Sequence, residues 1–191
     1  MSESQALRTV VLVPIKQFRA AKSRLREVLG DEEVETLARQ LADNVLRATR
    51  SRQTMVICDG DDVEAFAVEH GVGVVRTSAN TLNGAVSEAY RQLVDIDHVI
   101  IVHADLRDPS GLGDYSPAPG VTIVTDHHRT GTNVLALPAR VDFHFAYGED
   151  SAQRHRDEAE RLGLVCTVIT DSPWGFDVDE PSDLERSPDG I

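Results

Sequence analysis

Short runs of β-branched and aliphatic residues, each followed by a stretch of helical periodicity, constrain this chain more than any other feature. Residues 9–13 form a continuous β-branched and aliphatic run, the pattern of a strand covered on both faces. Pro14 ends it, because proline cannot donate to a central ladder. Similar runs recur at 54–58, 72–75, 98–103, 121–125, 134–137 and 165–170. The run at 98–103 is the most hydrophobic and is expected to lie at the centre of the sheet.

Between these runs the spacing turns helical. Residues 20–29 predict a short helix stopped by Gly30, with Asp31 as N-cap of the next. That next helix carries Val34, Leu37, Ala38, Leu41, Ala42, Val45 and Leu46 on one face. Asp61 or Asp62 is expected to cap a helix over 63–70, closed by Gly71. A fourth helix follows Leu82-Asn83-Gly84-Ala85 with Val86, Ala89, Tyr90 and Leu93 apolar, and a fifth spans 151–162 with Ala152, His155, Ala159 and Leu162 on one face. Residues 106–120, with three prolines and three glycines, read as a loop. Alternation of this kind implies an α/β domain with a mostly parallel sheet.

The 191 residues fit one domain, with a tail after about residue 185 that is polar and expected to fray. No internal repeat is present. The formal net charge of −13 argues against nucleic-acid binding and against docking on anionic membranes, since both rest on excess Lys and Arg. No run approaches a membrane span, and the first residues lack the apolar core of a signal peptide, so the cytoplasm is the expected compartment. Cys58 and Cys166 form no CxxC pair and lie in apolar runs, which predicts buried free thiols.

In parallel sheets ligands sit at the carboxyl ends of the strands. That rule gathers Lys16, Arg19, Lys22 and Arg24 after the first strand, Asp105 after the central one, and Asp177 with Asp179 after the last. In so acidic a chain a local basic cluster suggests an anionic partner such as a phosphate chain, with a solvated loop as the alternative. Asp105, Asp177 and Asp179 offer the hard oxygens that magnesium prefers, although each also suits a turn or cap. An acidic group opposite a cationic one is what phosphoryl or nucleotidyl transfer needs. GxGxxG after the first strand and GxxxxGK[ST] are both absent, which weighs against a dinucleotide-binding dehydrogenase and a P-loop enzyme. His103, His127 and His128 with Asp105 give a weaker transition-metal reading; His103 is expected to pack in its strand, and His127 and His128 to point to opposite faces. No serine or cysteine sits in a nucleophile elbow.

The run Val13-Pro14-Ile15-Lys16, followed by Ala21-Lys22-Ser23-Arg24-Leu25, resembles the opening of the CofC/FbiD family of guanylyltransferases. Further matches follow in order: Leu82-Asn83-Gly84-Ala85, Ala104-Asp105-Leu106, Thr130-Gly131-Thr132-Asn133, Tyr147-Gly148 with Ser151, and Asp177 through Leu184. The resemblance implies a three-layer α/β/α fold with a mostly parallel mixed sheet, of the nucleotide-diphospho-sugar transferase type. It implies transfer of a guanylyl group from GTP to a small phosphorylated acid, phosphoenolpyruvate or 2-phospho-L-lactate, with release of pyrophosphate, in synthesis of the deazaflavin coenzyme F-420. Lys16, Lys22 and Arg24 would then hold the triphosphate and the incoming phosphate, with Pro14, Leu82, Asn83 and Gly84 completing the nucleotide site. Asp105, Asp177 and Asp179 would hold Mg2+, and Thr132, Asn133, Gly148 and Ser151 would bind the acid. Association into a homodimer is left open.

The sequence departs from the family pattern in three places. Arg107-Asp108-Pro109 opens a glycine-rich loop where the family has proline and an apolar helix; Thr81 replaces a glycine; and Gly148-Glu149-Asp150-Ser151 places two carboxylates beside the acid pocket. A diverged nucleotide-binding relative, or a nucleotidyltransferase with another phospho-acceptor, are the alternatives.

Overall fold

The computed structural model describes residues 7–20 and 22–185. Its elements are β1 (Thr9–Pro14), α1 (Asp31–Thr49), β2 (Gln53–Cys58), α2 (Asp61–Glu69), β3 (Gly73–Arg76), α3 (Leu82–Gln92), β4 (His98–Val102), β5 (Val121–Thr125), β6 (Thr132–Pro138), α4 (Ser151–Arg161), β7 (Cys166–Ile169) and α5 (Pro181–Glu185). The strands make one sheet in the order β3-β2-β1-β4-β6-β5-β7, with β4 at its centre. β6 pairs antiparallel with both β4 and β5, while the other pairings are parallel.

The unbroken aliphatic runs follow from burial on both faces. In β1, Val11 and Val13 pack with Ala38, Ala42 and Val45 of α1 and Phe66 of α2. Val10 and Leu12 point the other way, onto Val86 and Ala89 of α3 and Ala152 and Ala159 of α4. The result is three layers, α/β/α. β7 lies at an edge and shows the opposite character, with Val168 exposed and Cys166 only half-buried. Both cysteines are free, but only Cys58 is buried as expected.

The basic stretch after β1 is not a helix. It forms two 3-10 turns, Phe18–Ala20 and Ser23–Glu27, separated by Lys22 in the left-handed region at φ 52°, ψ 48°. A side-chain-bearing residue rarely takes that conformation, and it breaks any helix over 20–29. Two buried side chains anchor the turns. Phe18 packs edge-on against Phe66 and lies under the Arg39 guanidinium, 4.2 Å from the ring centre. Leu25 packs with Val34, Leu41 and Val178. Gly30 does not stop a helix but caps α1, its backbone N–H donating to Glu33 Oε2 at 3.1 Å, so Asp31 is the first helical residue. Gly60 likewise precedes α2 in place of an aspartate cap; Asp62 Oδ2 accepts instead from the Phe18 N–H at 3.2 Å.

Residues 106–120 carry no helix, and they close one face of the sheet by side-chain anchoring. Leu106 and Leu112 are fully buried. Arg52 donates to the carbonyls of Gly113 (2.7 Å) and Tyr115 (2.5 Å), and Trp174 Nε1 donates to Ser110 O at 2.8 Å. Gly113 approaches α1 so closely that a Cβ there would stand 2.5 Å from Ala48 O. The turn at 126–131 sets the His127 and His128 rings against each other, tilted by 42° with centres 3.8 Å apart, so the two do not point to opposite faces. The expected fraying tail after about 185 and the residues that bear on a signal peptide lie outside the described residues. Among the described residues no helix is long and apolar enough to cross a membrane.

Candidate active site

Parallel strands β2, β1 and β4 end side by side, and a cavity of about 480 Å³ opens over their carboxyl ends. Its lining includes Pro14, Lys16 and Lys22 from the first loop, Asp59 after β2, Leu82 at the start of α3, and Asp105 with Asp179. Such a volume falls in the range of roughly 300–1,000 Å³ typical of small-molecule sites.

The C-terminal aspartates reach this edge by an unexpected route. β7 lies on the far border of the sheet, so its own end does not deliver them. The chain returns after the Pro173–Gly175 turn and pairs antiparallel with the residues beyond β4. Leu106 bridges Asp177, Arg107 N donates to Phe176 O at 2.8 Å, and Val178 N donates to Asp105 O at 3.0 Å. Val178 then buries itself against Leu25. One short segment thereby joins the central strand to the basic turn.

The residues expected to hold anions and those expected to hold a cation meet each other. Lys22 Nζ lies 2.9 Å from Asp105 Oδ2 and 3.9 Å from Asp179 Oδ1, and it also donates to Val178 O. Its side chain is only 6% exposed. Arg24 stands further out, 3.5 Å from Asp179 Oδ2 and 3.0 Å from Glu180 Oε1. Lys16 is exposed at the cavity lining. Burial acts to raise the Asp105 pKa, but the Lys22 ammonium, His103 and the Lys22 hydrogen bond outweigh it and hold the carboxyl below the usual range. Asp177 is shifted the other way, by burial first and by the Asp105 charge second, against a hydrogen bond from Asn133.

Asp105, Asp177 and Asp179 do not form a preformed cage: among the described residues no three acidic, histidine or cysteine side chains are set to hold a metal by themselves. The set nevertheless fits magnesium. Asp105 Oδ1 is buried with no hydrogen-bond partner, Asp177 suffers from its neighbour's charge, and magnesium is commonly held by one or two carboxylates with phosphates completing its shell.

The residues expected to touch the acid are deep and already bonded. Thr132 and Asn133 belong to β6 and not to the preceding loop, and with Ser151 they are buried. Asn133 Nδ2 donates to Trp174 O at 3.1 Å and to Asp177 Oδ1 at 3.3 Å, so it orients an aspartate. Ser151 Oγ donates to Thr132 Oγ1 at 3.3 Å. Gly148 is exposed at φ 118°, a conformation that favours glycine, and Glu149 and Asp150 are exposed as well.

On the nucleotide side Leu82 lines the cavity, but the two residues after it serve the scaffold. The Asn83 amide pairs with the Tyr147 backbone, accepting from its N–H (2.7 Å) and donating to its carbonyl (3.2 Å). Gly84 N donates to Thr81 Oγ1 at 3.2 Å, and a Cβ at this glycine would meet Ala79 Cβ at 2.8 Å. Thr81, where the family pattern has glycine, is the N-cap of α3. Sequence reasoning places a loop after β3 but gives no site role to its Thr77, Ala79 and Asn80, which line the cavity, and it misses His103 as a lining residue. The strand-end rule that locates Asp105, applied equally to β3, would bring that loop to the site.

A family model described as "Guanylyl transferase CofC like" matches residues 9–186. Among similar proteins, a phosphoenolpyruvate guanylyltransferase of Chloroflexus aggregans is 30% identical over 92% of this chain and 95% of its own. A 2-phospho-L-lactate guanylyltransferase of Methanocaldococcus fervens is 26% identical over 91% and 82% respectively. Among solved structures, one described as a nucleotide-diphospho-sugar transferase from Desulfovibrio desulfuricans superposes with a TM-score of 0.76 at 17% identity, covering 93% of this chain and 85% of the other. At that identity the likeness speaks for the fold.

Proposed function

The chain belongs to the CofC-like guanylyl transferase family, and from that premise we propose that it joins GTP to a small phosphorylated acid, phosphoenolpyruvate or 2-phospho-L-lactate, releasing pyrophosphate in coenzyme F-420 biosynthesis. The observation that carries this reading is the meeting of Lys16, Lys22, Asp105 and Asp179 on one cavity at the strand ends. An exposed cation, a paired cation and two carboxylates around one space suit a triphosphate and its counter-ion better than a neutral ligand.

In this reading the acid's phosphate oxygen attacks the α-phosphorus of GTP, and the bond to the β-phosphate bridging oxygen breaks, so pyrophosphate leaves. Lys16 meets the phosphates from its exposed position at the lining. Lys22 and Arg24 add positive charge where negative charge accumulates on the leaving group. Leu82 offers an apolar wall to the base. Asp105 and Asp177 would hold Mg2+, with Asp179 at the rim; when bound, the ion neutralises phosphate charge and orients the reacting groups. Asn133 keeps the Asp177 carboxylate in place.

The test is pyrophosphate release by the purified protein with GTP, ATP, CTP or UTP against phosphoenolpyruvate, 2-phospho-L-lactate and 3-phospho-D-glycerate. Release that needs both GTP and one acid, and is abolished by chelating divalent ions, is the expected outcome. No acid-dependent release with any nucleotide would overturn the reading.

A further inference from the structure

Three aspartates follow β2 within four residues, and two of them have structural work. Asp62 Oδ2 accepts from the Phe18 N–H at 3.2 Å, and Asp61 pairs with Arg76 at 2.9 Å. Asp59 differs from both. It is exposed, it lines the cavity over the strand ends, and among the described residues no hydrogen bond or ion pair engages its carboxylate. Its backbone is held from both sides nonetheless. The carbonyl of buried Cys58 accepts from the Thr77 N–H at 3.0 Å, and Gly60 lies so close to the first loop that a Cβ there would stand 2.5 Å from Gln17 Cγ.

The carboxylates of the lining divide into two kinds. Asp105 and Asp179 lie 2.9 and 3.9 Å from the Lys22 ammonium. Asp59 has no such cation: it stands at the end of β2, in the part of the cavity formed with Asn80 after β3 and with Leu82 and Ala85 of α3. An ionised carboxylate only accepts hydrogen bonds, and one without a cation of its own repels phosphate. It therefore suits a part of the ligand that presents N–H donors. Asn80 is also exposed and unengaged among the described residues, and its amide can donate to a neighbouring carbonyl. Leu82 and Ala85 supply the apolar surface that a flat ring needs.

We infer that Asp59 selects the base of the nucleotide as guanine, its two oxygens accepting from the ring N1–H and from the 2-amino group. This inference rests on the guanylyl transfer proposed above and names the residue behind the choice of base. Among the four common bases, guanine alone sets two N–H donors side by side on its pairing edge. Adenine has a lone pair at N1 and cytosine one at N3, while uracil flanks its N3–H with two carbonyls. Each of these turns negative charge toward the carboxylate, so Asp59 rejects them as well as attracting guanine. A bidentate pair accepted by an ionised group belongs to the stronger class of hydrogen bonds.

Calorimetric titration of the full chain with nucleotide and magnesium, without any acid, tests the inference independently of turnover. In the wild type, inosine triphosphate, which lacks the 2-amino group, is expected to bind about tenfold more weakly than GTP, and 2′-deoxy-GTP within about twofold of GTP. Xanthine carries a carbonyl where guanine carries the 2-amino group, and Asp59→Asn puts an N–H donor opposite it. That variant is expected to bind GTP about tenfold or more weakly than the wild type and to prefer xanthosine triphosphate to GTP. Asp59→Ala is expected to lose GTP affinity with no gain for xanthosine triphosphate. A solvated or structural aspartate would not invert a preference between two bases. Equal wild-type affinity for GTP and inosine triphosphate, or an asparagine variant that still prefers GTP, would overturn the inference. Weak binding of 2′-deoxy-GTP beside equal binding of GTP and inosine triphosphate would make Asp59 a ribose holder and overturn it too. If the asparagine variant does not fold, the wild-type comparison decides. A wild type that binds none of these nucleotides defeats the functional reading and the inference with it, whereas GTP binding with an unchanged preference in the variants defeats only the role of Asp59.

Discussion

Replacing Asp177 by asparagine removes one charge and almost no volume, which separates its chemistry from its packing. In the protein its carboxyl is pushed upward by burial and by the Asp105 charge. An amide at that place relieves the repulsion, so Asp177→Asn is expected to leave thermal stability equal or raised by up to about 1 kcal/mol while pyrophosphate release falls at least about tenfold. A melting curve beside an activity assay reads both; a variant that lost stability and kept its rate would mark Asp177 as scaffold. His70 and Asp43 form a second informative pair, with Nε2 2.7 Å from Oδ1 at the other end of the sheet. Burial opposes ionisation of both, yet their mutual hydrogen bond prevails, lowering the Asp43 pKa and raising that of His70. The Asp43 contribution exists above its unfolded value of 3.8 and is lost as pH falls through the lowered folded value. The His70 contribution is complete below 6.5 and is lost as pH rises through the raised folded value. His70→Gln should therefore cost most, about 1 kcal/mol, between pH 4 and 6.5, and progressively less above that window, as urea melts across pH would show.

The loop at 106–120 does the work of the helix missing there, and its stability comes from few anchors. Arg52→Met keeps the aliphatic stem but leaves the carbonyls of Gly113 and Tyr115 without their donor. A cost of roughly 1–3 kcal/mol is expected. Hydrogen exchange should locate the faster opening in 106–120; exchange unchanged there would show that Leu112 and Trp174 suffice. This loop also illustrates how far local sequence reaches. Its prolines and glycines announce irregular backbone, but nothing local announces that Arg52 holds it. The strands are legible because burial on both faces writes itself as an unbroken aliphatic run, as in β1 and β4. The segment after β1 defeats such reading because helical composition there yields to the left-handed Lys22 and to pairing with Val178, far away in the chain. Asn83 and Asn133 do neighbour the site, yet their amides serve Tyr147 and Asp177, partners that no local spacing discloses.

Among the described residues all seven strands lie before residue 170, whereas the cavity takes Asp179 into its lining and the Val178 carbonyl as a partner of Lys22, both from the segment that follows. A chain ending at Thr170 is expected to retain most of its far-ultraviolet circular dichroism and to lose the thermal shift given by GTP with magnesium, since Asp177, Val178 and Asp179 are gone. A shift preserved in that chain would show that the nucleotide binds without the returning segment. The segment that completes the cavity lining is thus added to a sheet whose strands are already in place.

Lys22 and Val178 touch although 156 residues separate them in sequence. During synthesis the sheet can assemble strand by strand, but Lys22 and Asp105 wait for the segment that closes over both. At roughly 5–20 residues per second on the ribosome, Lys22 waits about 8–31 s for Val178. A chain interrupted before Asp177 is therefore expected to lack the Val178 and Asp179 partners of Lys22. Contact between the first loop and this returning segment is itself the step that closes the corner of the cavity around Lys22.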